Sequence, residues 1–81
     1  MNIFVANLNY KIQSEQLKEI FEEFGEVESA KIIMDRNTGR SKGFGFVEMP
    51  DDQQALAAIE KLNEAEVDGR TIVVKKANPK D

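Results

Sequence analysis

The stretch KGFGFVEM, residues 42–49, constrains the fold more than any other part of the chain. It reads as a β-strand, and on a strand alternate side chains point to opposite faces. Phe44, Phe46 and Glu48 share one parity; Gly43, Gly45, Val47 and Met49 share the other. Burying the phenylalanine face would bury the Glu48 carboxylate with it, which is costly for an unpaired charge. The aromatic face is therefore expected to be open. The other face, with its two glycines, is expected to lie against the core, where a missing side chain lets another element come close. Such a strand belongs in a sheet that is covered on one side only.

The rest of the chain supplies that sheet and its cover. Asn2–Asn7 is apolar and β-rich and reads as a first strand. Ser14 is a suitable helix N-cap, Leu17, Ile20, Phe21 and Phe24 follow at helical spacing, and Gly25 stands where a C-terminal cap belongs. Val27–Met34 reads as a second strand and 35–41 (DRNTGRS) as a polar loop before the third. Pro50 ends that strand. Asp51 or Asp52 then caps a second helix with Ala55, Ala58, Ile59 and Leu62 on one face. Residues 63–70 read as a loop and Thr71–Lys76 as the last strand. The order β-α-β-β-α-β is the ferredoxin-like arrangement, an α+β fold with a four-stranded antiparallel sheet. Right-handed crossovers put both helices on one face of the sheet. A chain of 81 residues suffices for one such domain, so residues 1–81 are read as a single unit.

Charged residues settle which parity faces outward. Lys31, Glu48 and Lys75 belong on the open face. Ala30, Ile32, Ile72 and Val74 then point inward, with Ile3 and Val5 beside them, and Phe4 joins Phe44 and Phe46 outside. The formal net charge is −4, which by itself argues against a phosphate-bearing partner. Its distribution argues otherwise. Glu15, Glu19, Glu22, Glu23, Glu26 and Glu28 crowd the first helix and its exit, whereas Lys31, Arg36, Arg40 and Lys42 crowd the second and third strands and their loop. Exposed aromatics beside positive charge suit a flat, anionic, π-rich partner such as single-stranded nucleic acid.

On these residues the chain resembles the RNA recognition motif family. KGFGFVEM is similar to the family's octamer signature at Lys42, Gly43, Phe44, Gly45, Phe46 and Val47. Met49 departs from it, standing where the family usually has Phe or Tyr, at an inward position. The family's hexamer resembles IFVANL, Ile3–Leu8, with its aromatic at Phe4. The resemblance covers almost the whole chain and is strongest to short bacterial and cyanobacterial single-domain members. It implies that Phe4 and Phe46 stack on successive bases, that Phe44 packs on the sugars between them, and that Lys42 meets a phosphate. It also implies that Lys31, Lys75 and the residues near Ala77 and Asn78 lie where base edges pass.

Other readings of these residues stay open. The three phenylalanines read as core only if Glu48 is buried too. The same patch also reads as a protein-binding sheet face, which the acidic net charge favours. Arg36 and Arg40 read either as RNA contacts or as a solvated turn, the glutamates of the first helix as a solvated face or as a means of keeping RNA off the helical side, and Tyr10 as loop packing rather than a stacking platform. GFGFVE, GRSKG and DRNTG lack the spacing of a dinucleotide fingerprint, a phosphate-binding loop and a calcium loop. With no histidine and no cysteine, the usual general base, thiolate ligands and disulfides are absent, and the carboxylates are scattered. The expectation is a cytoplasmic, monomeric binding protein and not an enzyme, with no cofactor or metal. Its partner would be single-stranded RNA, with single-stranded DNA bound more weakly and no membrane contact.

Overall fold

The structure, a computed structural model, describes residues 1–77. Its strands are β1 (Asn2–Ala6), β2 (Ser29–Met34), β3 (Ser41–Glu48), β4 (Glu66–Val67), β5 (Arg70–Thr71) and β6 (Val73–Lys76); its helices are α1 (Ser14–Glu22) and α2 (Asp52–Leu62). The main sheet has the order β2-β3-β1-β6, with every neighbouring pair antiparallel. Both helices pack on one face of it, α1 against β2 and β3 and α2 against β6. This is the architecture that the hydrophobic pattern predicts.

The alternation of charge and apolar residues decides the faces as expected. Ile3, Val5, Val47, Met49, Ile72 and Val74 are almost completely excluded from solvent and meet Leu17, Phe21, Ala55 and Ala58 of the helices in one core. The small side chains of Ala55 and Ala58 let α2 lie close to the sheet. Glu48, Lys31 and Lys75 stay exposed on the opposite face, so none of these three charges is buried.

Five local readings are corrected. Ser14 is the first helical residue rather than the cap. Gln13 holds the N-cap position, and its backbone N–H donates to the Gln16 side chain at 2.7 Å. The Ser14 hydroxyl instead accepts the Ile32 N–H of β2, the edge strand, at 3.2 Å. At its other end α1 stops at Glu22 with Glu23 as C-cap, before Gly25. The segment read as a 63–70 loop contains a hairpin, β4–β5, turned by Asp68 and Gly69 with φ of 52° and 82°. Two consecutive left-handed residues are what a tight hairpin turn requires. The last strand in turn starts at Val73, because Thr71 pairs with Glu66 and the Ile72 backbone bonds Ala65 and Glu64 rather than β1.

The fifth correction concerns Gly45, whose nearest neighbours belong to β2 rather than to a helix. A Cβ there would lie 2.3 Å from the Lys31 carbonyl oxygen, so the glycine admits the bulged backbone of β2. α2, by contrast, starts as its sequence suggests. The Asp51 carboxylate accepts from the Gln53 and Gln54 N–H groups at 2.9 and 3.1 Å.

Candidate functional site

The register of the sheet assembles a row that crosses all four strands. Lys31 on β2 is paired with Phe46 on β3, Phe46 with Phe4 on β1, and Phe4 with Lys75 on β6. At ordinary strand spacing this rung is about 14 Å long. Two aromatic rings occupy its centre and an ammonium group each end. The rings of Phe4 and Phe46 lie 5.5 Å apart at 53°, and Phe44, one step along β3, lies 5.9 Å from Phe4 at 45°. Tilted contacts of this kind are favourable edge-to-face geometries. They hold the three rings as a single surface, with Phe4 and Phe44 half-buried and Phe46 40% exposed.

Lys42 lies on the same face, at the far end of β3 from Glu48. Arg40 lines one cleft with Tyr10, Lys42 and Phe44, so the structure brings Arg40 to the aromatic surface. Arg36 is exposed in the β2–β3 turn, away from that cleft. The turn is tied by Asp35, which accepts from the Asn37 N–H at 2.7 Å. Asn78 lies outside the described residues. Among the described residues the one ion pair joins the N-terminal ammonium to Asp52 at 3.7 Å, and the basic groups around the open face have no carboxylate partner. Glu15, Glu19, Glu22 and Glu23 are exposed on α1, against the other face of the sheet. The molecule is thus electrically two-sided, which the net charge conceals.

Two residues at this surface were not among the site candidates. Tyr10, read as loop packing, is 64% exposed. The Arg70 guanidinium lies over its ring, 5.6 Å from the centroid. Arg70 donates to Asn7 Oδ1 at 2.8 Å, and Asn7 Nδ2 donates to the Thr71 carbonyl at 2.6 Å. These contacts tie the β1–α1 loop to the small hairpin. Tyr10 and Arg70 share a cleft with Phe4, Phe44 and Lys42. The sequence carried one hint, the Asp68–Gly69 pair that makes the hairpin, but not where the hairpin docks.

No group of carboxylates suited to holding a metal ion occurs among the described residues, and no helix there is long and apolar enough to cross a membrane. The surface offers stacking, apolar contact and cation contact, which is binding chemistry.

Known proteins resemble this chain in sequence and fold. The family model for the RNA recognition motif matches residues 3–73. RbpB of Nostoc sp. strain PCC 7120 is 47% identical over 81 residues, covering 100% of this chain and 79% of that protein. The crystal structure of the RNA binding protein PG1 superposes with a TM-score of 0.92 at 52% identity, over 95% of this chain and 93% of that one. The Rna15 domain solved with bound RNA (GU) superposes with a TM-score of 0.86 at 26% identity, over 99% and 85%. A family match over most of the chain, together with the shared fold, places it: the chain belongs to the RNA recognition motif family.

Proposed function

We propose that this protein binds single-stranded RNA on the open face of its sheet. The observation that carries this is the transverse row Lys31–Phe46–Phe4–Lys75. It combines what a nucleic-acid strand needs, a flat apolar platform for bases at its centre and cations for the backbone at its two ends. Similarity to the RNA binding protein PG1 and to an Rna15 domain carrying RNA supports it. In this reading Phe4 and Phe46 each stack one base, Phe44 packs on the sugars between, and Lys42 meets a phosphate. Lys31 and Lys75 flank the bases; Arg40, Arg36 and Asn78 act at the periphery. The protein works by binding and not by catalysis, as one domain over 1–81, a monomer in the cytoplasm. RNA is preferred to single-stranded DNA.

A few stacked bases at about 1–3 kcal/mol each, set against the cost of association, give dissociation constants of roughly micromolar size. A fluorescence titration with a degenerate single-stranded oligoribonucleotide tests this. Saturable micromolar binding is expected, and a matched duplex should bind much more weakly, because its bases are already stacked and paired. Absence of saturable binding below millimolar protein would overturn the reading and leave the face to a protein partner.

A further inference from the structure

We propose that Glu48 sets a base preference on the open face, its carboxylate accepting the two adjacent N–H donors of a guanine stacked on Phe46. This rests on the reading that the open face binds single-stranded RNA. One rung along from Lys31–Phe46–Phe4–Lys75, the register sets Ser29 of β2 beside Glu48 and Glu48 beside Asn2 of β1. Beyond Asn2 the row ends at Ala77, whose N–H donates to the Asn2 carbonyl at 2.8 Å. The two rungs share one face of the sheet and lie two residues apart on each strand, about 7 Å. They differ in chemistry. The first offers rings and ammonium groups, and the second offers a hydroxyl, a carboxylate and an amide. A purine lying on Phe46 is long enough for its edge to reach the second rung, where base edges are read by hydrogen bonds.

Charge and donor pattern identify the base. Glu48 is exposed and enters no ion pair among the described residues, so its charge is uncompensated. A carboxylate on a face that takes a polyanion repels phosphate, so it contributes to binding only where a base edge turns toward it. Of the four bases, guanine alone carries two neighbouring donors on its Watson–Crick edge, N1–H and N2–H, which match the two oxygens of a carboxylate. Adenine and cytosine each set a ring acceptor beside one amino donor, and the N–H of uracil lies between two carbonyls. Each of these turns a lone pair toward Glu48. Ser29 and Asn2, on either side of Glu48, carry donors suited to guanine O6. A basic peptide would pair with Glu48 but meet Lys31, Lys42 and Lys75 on the same face, and like charges there oppose it.

The test titrates labelled pentaribonucleotides of uridine whose central base is guanine, adenine, cytosine, uracil or hypoxanthine. Guanine and adenine are both purines, so their affinity ratio isolates the edge contact from stacking. A bidentate contact gives wild type a preference for the guanine strand of roughly five- to 150-fold over the adenine strand. Hypoxanthine, which lacks the N2 amino group, should keep only part of that advantage. Glu48→Gln preserves side-chain length but presents one acceptor and one donor, the pattern that adenine N6–H and N1 match. The guanine-to-adenine ratio is expected to fall at least about fivefold in Glu48→Gln, with the adenine strand bound more tightly than by wild type. Glu48→Ala should lose the guanine preference and gain none for adenine. Melting curves confirm that the variants are folded, and the second variant keeps the test open if one is not. Equal binding of the guanine and adenine strands by wild type, or a guanine preference unchanged in both folded variants, would overturn the role of Glu48 while leaving RNA binding on the sheet intact. The same holds if both variants bind every strand more tightly by one factor, since Glu48 would then only repel the backbone. If wild type binds none of the strands, the open-face reading fails first and the base preference falls with it.

Discussion

Replacing Phe46 by alanine and, separately, its neighbour Val47 by alanine should break different properties of the protein. Phe46 is 40% exposed and touches Phe4 across the β1–β3 pair at 5.5 Å. Its loss removes one aromatic contact, about 0.5–1.5 kcal/mol of stability, and opens no core cavity. It also removes one base platform, about 1–3 kcal/mol of RNA binding, or roughly five- to 150-fold in affinity. Val47 is 1% exposed, on the core face between Ile3 and Ala30. Truncation removes two buried carbons at about 0.8 kcal/mol each and leaves a small cavity, so the cost is about 2 kcal/mol of stability. In a domain of this size that lowers the melting temperature by roughly 8–16 °C. Urea midpoints and RNA titrations, with affinity corrected for the folded fraction, separate the two. Folded Val47→Ala should bind like wild type. If Phe46→Ala loses more stability than Val47→Ala and binds RNA normally, the strand is inside out and the functional argument collapses.

Two further outcomes follow from the same geometry. With Lys31, Lys42 and Lys75 exposed around the rings, about two or three phosphates are neutralised, so the log–log slope of affinity against salt should be near −1.5 to −2. A slope several times steeper would show that charge, not stacking, dominates. Gly45→Ala should destabilise by at least about 2 kcal/mol in urea unfolding, because the new Cβ would meet the Lys31 carbonyl at 2.3 Å and β2 must move away. A change below about 0.5 kcal/mol would mean that the bulge is not tightly packed against β3.

The parity of KGFGFVEM and the positions of Lys31, Glu48 and Lys75 were enough to orient three of the four strands of the main sheet, because an unpaired buried charge costs more than any single apolar contact returns; the first strand carries no charge and was placed by its apolar pair Ile3 and Val5. Helix positions and the order of elements were legible for a related reason: periodicity is local, and each period has one compatible backbone. Capping was less legible. Ser14 is as good a cap by type as any residue, but its hydroxyl accepts the Ile32 N–H of β2, an edge strand whose outward N–H groups have no strand partner. Nothing near Ser14 in the chain announces that demand.

The rung joining Lys31, Phe46, Phe4 and Lys75 lies further still from what one strand can specify. Each residue was assigned to the open face separately, but their alignment depends on three strand registers, and a shift of any one would scatter the row. Tyr10 and Arg70 are the extreme case. They are separated by most of the chain, and they meet only because Asn7 bridges the β1–α1 loop to a hairpin whose docking depends on the completed sheet. Side-chain type and alternation thus determined, from the sequence alone, which residues face outward and what chemistry they carry. Which of them stand side by side was decided by the tertiary structure, because register and docking are set by long-range hydrogen bonds and packing that no local pattern encodes.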